Sequence, residues 1–435
     1  MNASQLNAAR AAELEGDWPE AARLYGYLTN QQSDLGPLLT KLANALLNAG
    51  EYAEGLETLR RSLEYKPENA AWLSDVLLGT MSPAEAVEKY HQFVAATPRS
   101  FEADRYFSTN LMKAGHIPLV FSRFRHIVGH KCAGIVSSGR SRIDEGPSSL
   151  LINAGNGQYT VEMPNSFRGS FMHFSRFLSY TSYLDRLADD CVSGRARLCL
   201  SDSPDRDLPA MAMSAIGDQH GLIPDANFML SEGYDAVRGM IAREDVEWAD
   251  RHDLMYWRGS LTGRSKTIPG ILNLPRVELC LLSRFKPHIL DARIARGGWE
   301  QYLPDFPEIG AVLEGLGVVG DKEPESRNFH FKYLIDVDGN SNAWASYYVK
   351  LICGGVVVKL DSPYRQWYYH KTEPFQSFVP IKSITHDLGD VYNWLLENDM
   401  EASNIASMGR NLALSMSVSS EYCVFKRAFE KVSFT

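Results

Sequence analysis

The six cysteines of this 435-residue chain form no CxxC pair, and none stands at metal-ligand spacing from a histidine. That excludes a zinc ribbon and a dithiol redox motif. Scattered among apolar neighbours, they read as reduced, buried thiols. The longest apolar runs, such as GGVVVKL, fall far short of the ~20 residues a bilayer span needs. The opening MNASQLNAARAAELEGDW lacks a charged stretch followed by an apolar core, so no signal peptide is expected. Positive charge is in deficit, with 44 Lys and Arg against 53 Asp and Glu, a net −9. Such a chain is a poor nucleic-acid binder, because it lacks the positive field that replaces phosphate counterions. Also missing are HExxH, GxSxG, a Walker loop and a kinase signature. What remains is an ordinary globular balance, 45% hydrophobic and 22% charged. At ~150 residues per domain the length suggests about three structural units.

The N-terminus repeats itself. EGDWPEAARLY and AGEYAEGLETL are two versions of one pattern, with Gly16-Asp17-Trp18 recurring as Gly50-Glu51-Tyr52 after 34 residues. That is the period of a tetratricopeptide repeat, a helix–turn–helix unit. Pro67 closes one repeat, because proline cannot continue a helix. SPAEAVEKYHQFVAATP reads as the second helix of a third, shortened repeat, and RYFSTNLMKAGHIPLVFSRFRHIV as a fourth or a cap. Stacked repeats bury a stripe that one helix pair leaves open. They offer a concave surface for a protein partner, or serve only as a spacer.

The texture changes after residue 120. Short apolar runs then alternate with amphipathic segments: LLINA, RARLCLSD, LMYWRGS, PHILDA, KYLIDVDG and GGVVVKLD read as strands. Alternation with helices argues for α/β architecture and parallel sheets. The expected division is 1–120 helical repeats, 121–250 one α/β domain, and 251–435 a second, with the final helices packing back on the first. Ligands of such folds bind outside the carboxyl ends of strands.

Four strand ends carry chemistry. RLCLSDSPD ends at Asp202, which on spacing alone is a cap or Asx-turn residue, with a general base as the alternative. MYWRGSLTGRSKT places Arg258, Gly259, Ser260, Thr262 and Arg264 after a strand, a set suited to cradling an anion, with forks from the arginines and close backbone approach at glycine. KYLIDVDGNSNAW ends in Gly339, Asn340, Ser341 and Asn342 before a helix near Trp344, whose free N–H groups suit an anion. Asp336 and Asp338 in the same run read second as metal ligands, which requires the strand to have turned, since alternate residues face opposite ways. LICGGVVVKLDSPYRQWYYHKTEPF brings Lys359, Asp361 and several aromatics, either core or the wall of a sugar pocket.

In this order the motifs resemble glycosyltransferase family 90, which includes lipopolysaccharide-modifying bacterial enzymes, fungal capsule-associated xylosyltransferases and animal protein O-glucosyltransferases. The likeness is carried by WRGSLTGR (257–264), ILDA (289–292), KYLIDVDGNSNAW (332–344), KLICGGVVVKLDSPYRQWYY (350–369), FVPI with HDLGDVYNWLLEND (378–399) and IASMGRNLAL (405–414). The resemblance implies a GT-B fold, two Rossmann-like domains facing a cleft, with the helical repeats as an added module. It implies an inverting enzyme that takes sugar from a nucleoside diphosphate donor such as UDP-glucose or UDP-xylose. No metal and no cofactor would be required. The acceptor would be a hydroxyl of a surface glycan, lipopolysaccharide or protein. Its Asp-x-Pro motif falls on Asp202-Ser203-Pro204 and makes Asp202 the catalytic base. Its diphosphate residues fall on Arg258, Gly259, Ser260 and Thr262, with Arg264 as a further arginine. An arginine of the animal enzymes is missing from WASYYVK, so Gly339, Asn340, Ser341, Asn342 and Trp344 are expected to complete the donor site. With reduced thiols and neither signal peptide nor membrane span, the location expected is cytoplasmic, or peripheral at the inner membrane face. The alternative is a non-catalytic repeat scaffold whose α/β part binds a nucleotide or glycan.

Overall fold

The computed structural model describes residues 3–31, 35–66, 69–94, 107, 110–111, 131–138, 148–164, 171–202, 204, 208–342 and 344–434. The chain forms two compact units, residues 1–139 with 163–181, and residues 140–162 with 182–435.

In the first unit six helices run as three pairs: α1 (Ala3–Glu15) with α2 (Trp18–Thr29), α3 (Gly36–Asn48) with α4 (Tyr52–Ser62), and α5 (Asn69–Thr80) with α6 (Pro83–Val94). The repeated glycines make the turns, Gly16 at φ +75° and Gly50 at φ +86°, backbone angles that other residues adopt at a cost. Asp17 caps α2 by accepting the Glu20 N–H at 3.2 Å. Ser82 and Glu85 form a capping box at α6, with the Ser82 N–H donating to Glu85 at 3.1 Å. Ala9, Ala21, Tyr25 and Leu28 are buried between α1, α2 and α3. The shortened third repeat is therefore present. The segment read as a fourth lies almost wholly outside the described residues. This unit also holds β1 (Cys132–Ser138) and the helix Phe171–Ser179.

The second unit contains two sheets. The smaller runs β3-β2-β4-β5-β7, from β2 (Ser149–Gly155), β3 (Gln158–Pro164), β4 (Gly194–Cys199), β5 (Met211–Ala212) and β7 (Gly221–Leu222), while β6 (Ala215–Ile216) stands apart. It is mixed rather than wholly parallel: β2 lies antiparallel to β3 and β4, and β4, β5 and β7 are parallel. The reason is local. Gly155 pairs with Gln158 across Asn156-Gly157, both at positive φ, 53° and 70°. Asn-Gly is the dipeptide that a tight two-residue hairpin favours.

The larger sheet consists of β8 (His252–Gly259), β9 (Leu290–Ala295), β10 (Val319–Gly320), β11 (Phe331–Asp336), β12 (Val356–Leu360) and β14 (Val379–Ile381). Its order is β10-β9-β8-β11-β12-β14, and every pair is parallel. In order of appearance that is 3-2-1-4-5-6, the doubly wound arrangement, whose crevice opens where the order reverses, between β8 and β11. Every residue of β11 is buried, as a central parallel strand covered on both faces should be. Met255, Trp257, Ile335 and Val358 belong to the core of this half.

The two α/β halves of this unit are stitched together. β13 (Tyr364–Arg365) pairs antiparallel with β6. The Ser214 hydroxyl donates to Asn342 Oδ1 at 2.5 Å. Arg238 takes the carbonyls of Ala413, Leu414 and Met416 at the end of the Asp399–Ser415 helix, at 2.9, 3.0 and 2.7 Å. The Tyr422–Val432 helix then lies on the smaller sheet, and beyond it the Phe434 N–H donates to the Arg195 carbonyl at 2.9 Å. Among the described residues no helix is long and apolar enough to cross a membrane.

This docking gives a stability test. A Cβ on Gly221 would lie 2.5 Å from the Ala428 carbonyl oxygen, whereas one on Gly239 meets nothing within 4 Å. Gly221→Ala should cost about 1–3 kcal/mol, because backbone must move. Gly239→Ala, within the Asp235–Glu244 helix, should be neutral or gain up to about 1 kcal/mol. Urea unfolding midpoints measure both, and equal midpoints for the two variants would contradict the packing described.

Candidate functional site

The crevice is made by the turns that follow β8 and β11. Leu261 anchors the first turn in the core, and its N–H donates to the Gly298 carbonyl at 2.6 Å. Gly263 follows at φ +140°; its carbonyl accepts the Tyr302 hydroxyl at 2.7 Å and the Gln301 amide at 3.0 Å. The second turn passes so close that a Cβ on Gly339 would collide with Thr262 Oγ1. Glycine is needed there for the approach of two loops.

Arg276, just inside the helix Pro275–Phe285, locks the turns together. Its Nη1 donates to the Ser260 carbonyl at 2.7 Å, Nη2 to Val337 at 3.0 Å and Nε to Asp338 at 3.0 Å. Its guanidinium lies over Trp257, 5.7 Å from the ring centre. Burial pulls the Arg276 pKa below its ordinary value, yet arginine keeps its charge in proteins. No motif marks Arg276 in the sequence.

Asn340 joins three chain segments. Its Oδ1 accepts the Gly263 N–H at 3.0 Å, and its Nδ2 reaches Gln301 Oε1 at 3.4 Å and Asp202 Oδ2 at 3.3 Å. Asp202, which follows β4 of the smaller sheet, thus stands at the mouth of the β8–β11 crevice. It is half-buried. Ser203 lies outside the described residues. Ser260 and Arg264 are exposed on the first turn, and Thr262 is half-buried.

Several residues depart from expectation. Arg258 does not present a free fork: Nη1 and Nη2 donate to the two Asp291 oxygens, each at 3.0 Å. Arg258 alternates with Trp257 along β8, so it faces away from the core that Trp257 fills; the aspartate of ILDA is its partner. Ser341 and Asn342, expected as anion ligands, are buried and have internal partners. Ser341 is 2% and Asn342 6% exposed. Ser341 Oγ accepts the Trp344 indole N–H at 3.2 Å, and Asn342 Nδ2 donates to the Tyr364 carbonyl and approaches the Tyr369 hydroxyl, both at 3.2 Å. Asn342 also accepts the Ser214 hydroxyl from the other half, whereas Ser341 closes a local contact at the start of the following helix. Gly339 contributes its small size, and its N–H closes a turn on the Ser341 carbonyl at 2.9 Å. Trp344 starts the helix Trp344–Cys353.

Asp336 and Asp338 do not form the alternative metal pair. Asp336 is fully buried and sits opposite Lys359 in the β11–β12 register. Lys359 lies 2.8 Å from one of its oxygens and Lys350 3.4 Å from the other. Burial pushes its pKa up, and the charges of Lys359 and Lys350 outweigh that and hold it below the usual carboxylate range. Asp338 is 3.6 Å from Lys359 and accepts the Ser362 hydroxyl; burial raises its pKa. Two ammonium groups therefore stand where a cation would have to sit. Among the described residues no cluster of three metal-ligating side chains occurs.

Residues 233–429 match the family model described as Glycosyl transferase family 90, so the resemblance read from the motifs holds over that segment. Human Protein O-glucosyltransferase 3 is 32% identical over 158 residues, 36% of this chain and 29% of that protein. Protein O-glucosyltransferase 2 of Danio rerio is 33% identical over 185 residues, 42% of this chain and 33% of that protein. The match thus spans about a third of the length of these relatives. A solved structure, a Thermobaculum terrenum O-GlcNAc transferase mutant, aligns along 99% of this chain and 96% of its own at 13% identity and a TM-score of 0.33, a likeness too loose to carry weight.

The buried ion set makes two predictions. Asp336→Asn strands two ammonium groups and should cost about 3–5 kcal/mol of stability. Burial also pushes the Lys350 ammonium down to about 8, from an ordinary 10.5. Below pH 8 folded and unfolded chains are both charged at Lys350, and the cost of burial is full. Between 8 and 10.5 the folded chain releases its proton first, so this group's contribution to stability rises with pH. Lys350→Met should abolish that rise. Chemical unfolding at a series of pH values measures it, and parallel curves for wild type and variant would disprove the assignment.

Proposed function

We propose that this chain is a glycosyltransferase that moves a sugar from a nucleoside diphosphate donor, such as UDP-glucose or UDP-xylose, onto a hydroxyl of a protein. The observation that carries the reading is the 3.3 Å contact between Asp202 and Asn340. It brings a half-buried carboxylate from one half of the unit to the crevice of the other, where a doubly wound sheet binds its ligand. The protein acceptor is favoured over a surface glycan by the relatives, which are named for protein O-glucosylation.

In the proposed reaction Asp202 accepts the proton of the acceptor hydroxyl as its oxygen attacks the anomeric carbon. The bond from that carbon to the diphosphate oxygen breaks, and its electron pair leaves with the diphosphate. Direct displacement inverts the anomeric centre. Asn340 holds Asp202 in place. Charge on the leaving diphosphate is met by the exposed Arg264 and the hydroxyls of Ser260 and Thr262, with neither metal nor cofactor. A preorganised donor of this kind is worth about 2.7–4 kcal/mol of barrier. Arg276 acts through the turns it shapes, and Arg258 through its pairing with Asp291.

Asp202→Asn should lower sugar transfer and donor hydrolysis by two to four orders of magnitude, in line with loss of a general base, while UDP affinity in calorimetry stays within about twofold. Wild-type turnover in this variant would remove Asp202 as the base. Nucleotide-sugar binding across a panel with no UDP release from any of them would favour the repeat-scaffold alternative.

A further inference from the structure

A second cavity, of about 540 Å³, opens beside the β6–β13 pair, against the carboxyl ends of β12 and β14. Asp202, the turn from Ser260 to Arg264 and the turn from Gly339 to Asn342 contribute nothing to its lining. Its size lies within the range of small-ligand pockets.

Its chemistry is selective. Lys359 reaches it between the faces of Tyr347 and Tyr369, 5.0 and 5.3 Å from their ring centres. The charge of Lys359 is already engaged by Asp336 and Asp338. Asp361, Arg365 and His370 line the cavity from one half of the unit and Asp218 from the other, and all four are exposed. An anion would meet two carboxylates here, and a cation would meet Arg365 and Lys359. A neutral ring rich in hydroxyls suits both signs: carboxylates accept from hydroxyls, while arginine donates to them. Tyr369 and Phe378, half-buried in the lining, offer apolar surface to the C–H face of such a ring.

We infer that this cavity is a glycosyl subsite that holds a neutral pyranose through Asp361 and Asp218. The inference deepens the proposed transfer and rests on it for the source of the ring, which is either the donor's sugar or a glycan on the acceptor. The pocket chemistry itself does not depend on turnover.

The test uses the full chain with methyl β-D-glucopyranoside and methyl β-D-xylopyranoside as probes, followed by saturation-transfer NMR. Wild type should bind at least one of them at millimolar concentration. D218N/D361N should bind about fivefold to tenfold more weakly, the worth of one or two hydrogen bonds, with an unchanged melting temperature and unchanged UDP affinity. Displacement of the probe by UDP-glucose assigns the cavity to the donor's sugar. Probe binding that survives saturation with UDP-glucose assigns it to the acceptor's glycan. No binding of either glycoside to wild type, or equal binding to the double variant, overturns the inference. Glycoside binding without binding or hydrolysis of any nucleotide sugar in the panel would sink the proposed function and leave the subsite standing.

Discussion

A single buried carboxylate sets the geometry of the larger half. Asp336 ends the central strand β11 without solvent, and its charge is tolerable only because Lys359 of β12 and Lys350 of the Trp344–Cys353 helix both reach it. A buried ion pair of this kind is weak evidence for net stability, since desolvation offsets much of the attraction. Its consequence is positional. It binds strand, neighbouring strand and following helix at the level where the chain turns from Val337 to Asn342. That turn carries Asn340, and the site is built around it.

From this anchor the contacts run outward. Arg276 draws the β8 and β11 turns together through three carbonyls, and Gly339 lets them meet at Thr262. Asn340 then reaches Gly263 and Asp202. The other half of the unit is held by Ser214 on Asn342, by the β6–β13 pair and by the final helix lying on the smaller sheet. Of the residues suited to ligand chemistry, Asn342 does this joining, Ser341 holds Trp344, and Arg258 is spent on Asp291. Polar groups at a crevice are as often the means of building it as of filling it, because each buried one must find a partner.

Much of this was legible from residues alone. The 34-residue recurrence of Gly16 at Gly50 marks the helix pairs, because only a few residues accept positive φ at such a turn. The strand ends at Asp202, Gly259 and Asp338 stand out, because apolar runs stop where polar loops begin. The Asn156-Gly157 pair is an equally local signal, and the hairpin it makes is what turns the smaller sheet from parallel to mixed. Arg276 and Gln301 carried no signal: an arginine at a helix start and a glutamine in a loop are common, and both matter only through carbonyls contributed by other segments. The pairing of Asp336 with two lysines was hidden for a related reason. Its partners lie 14 and 23 residues away, and only strand register, for Lys359, and the packing of the following helix, for Lys350, bring them opposite.

Taken by itself, the amino-acid sequence determined the periodicity of the helices, the strands with their polar ends, and the group of residues from which a site would be drawn. Those features are local, set by side-chain spacing and by what glycine and proline permit. Tertiary structure alone decided which of those residues remain available to a ligand and which are consumed as internal partners. That choice depends on strand order and register, which place distant side chains within hydrogen-bond reach, and on the rule that a buried charge or amide must be satisfied by whatever packing has brought beside it.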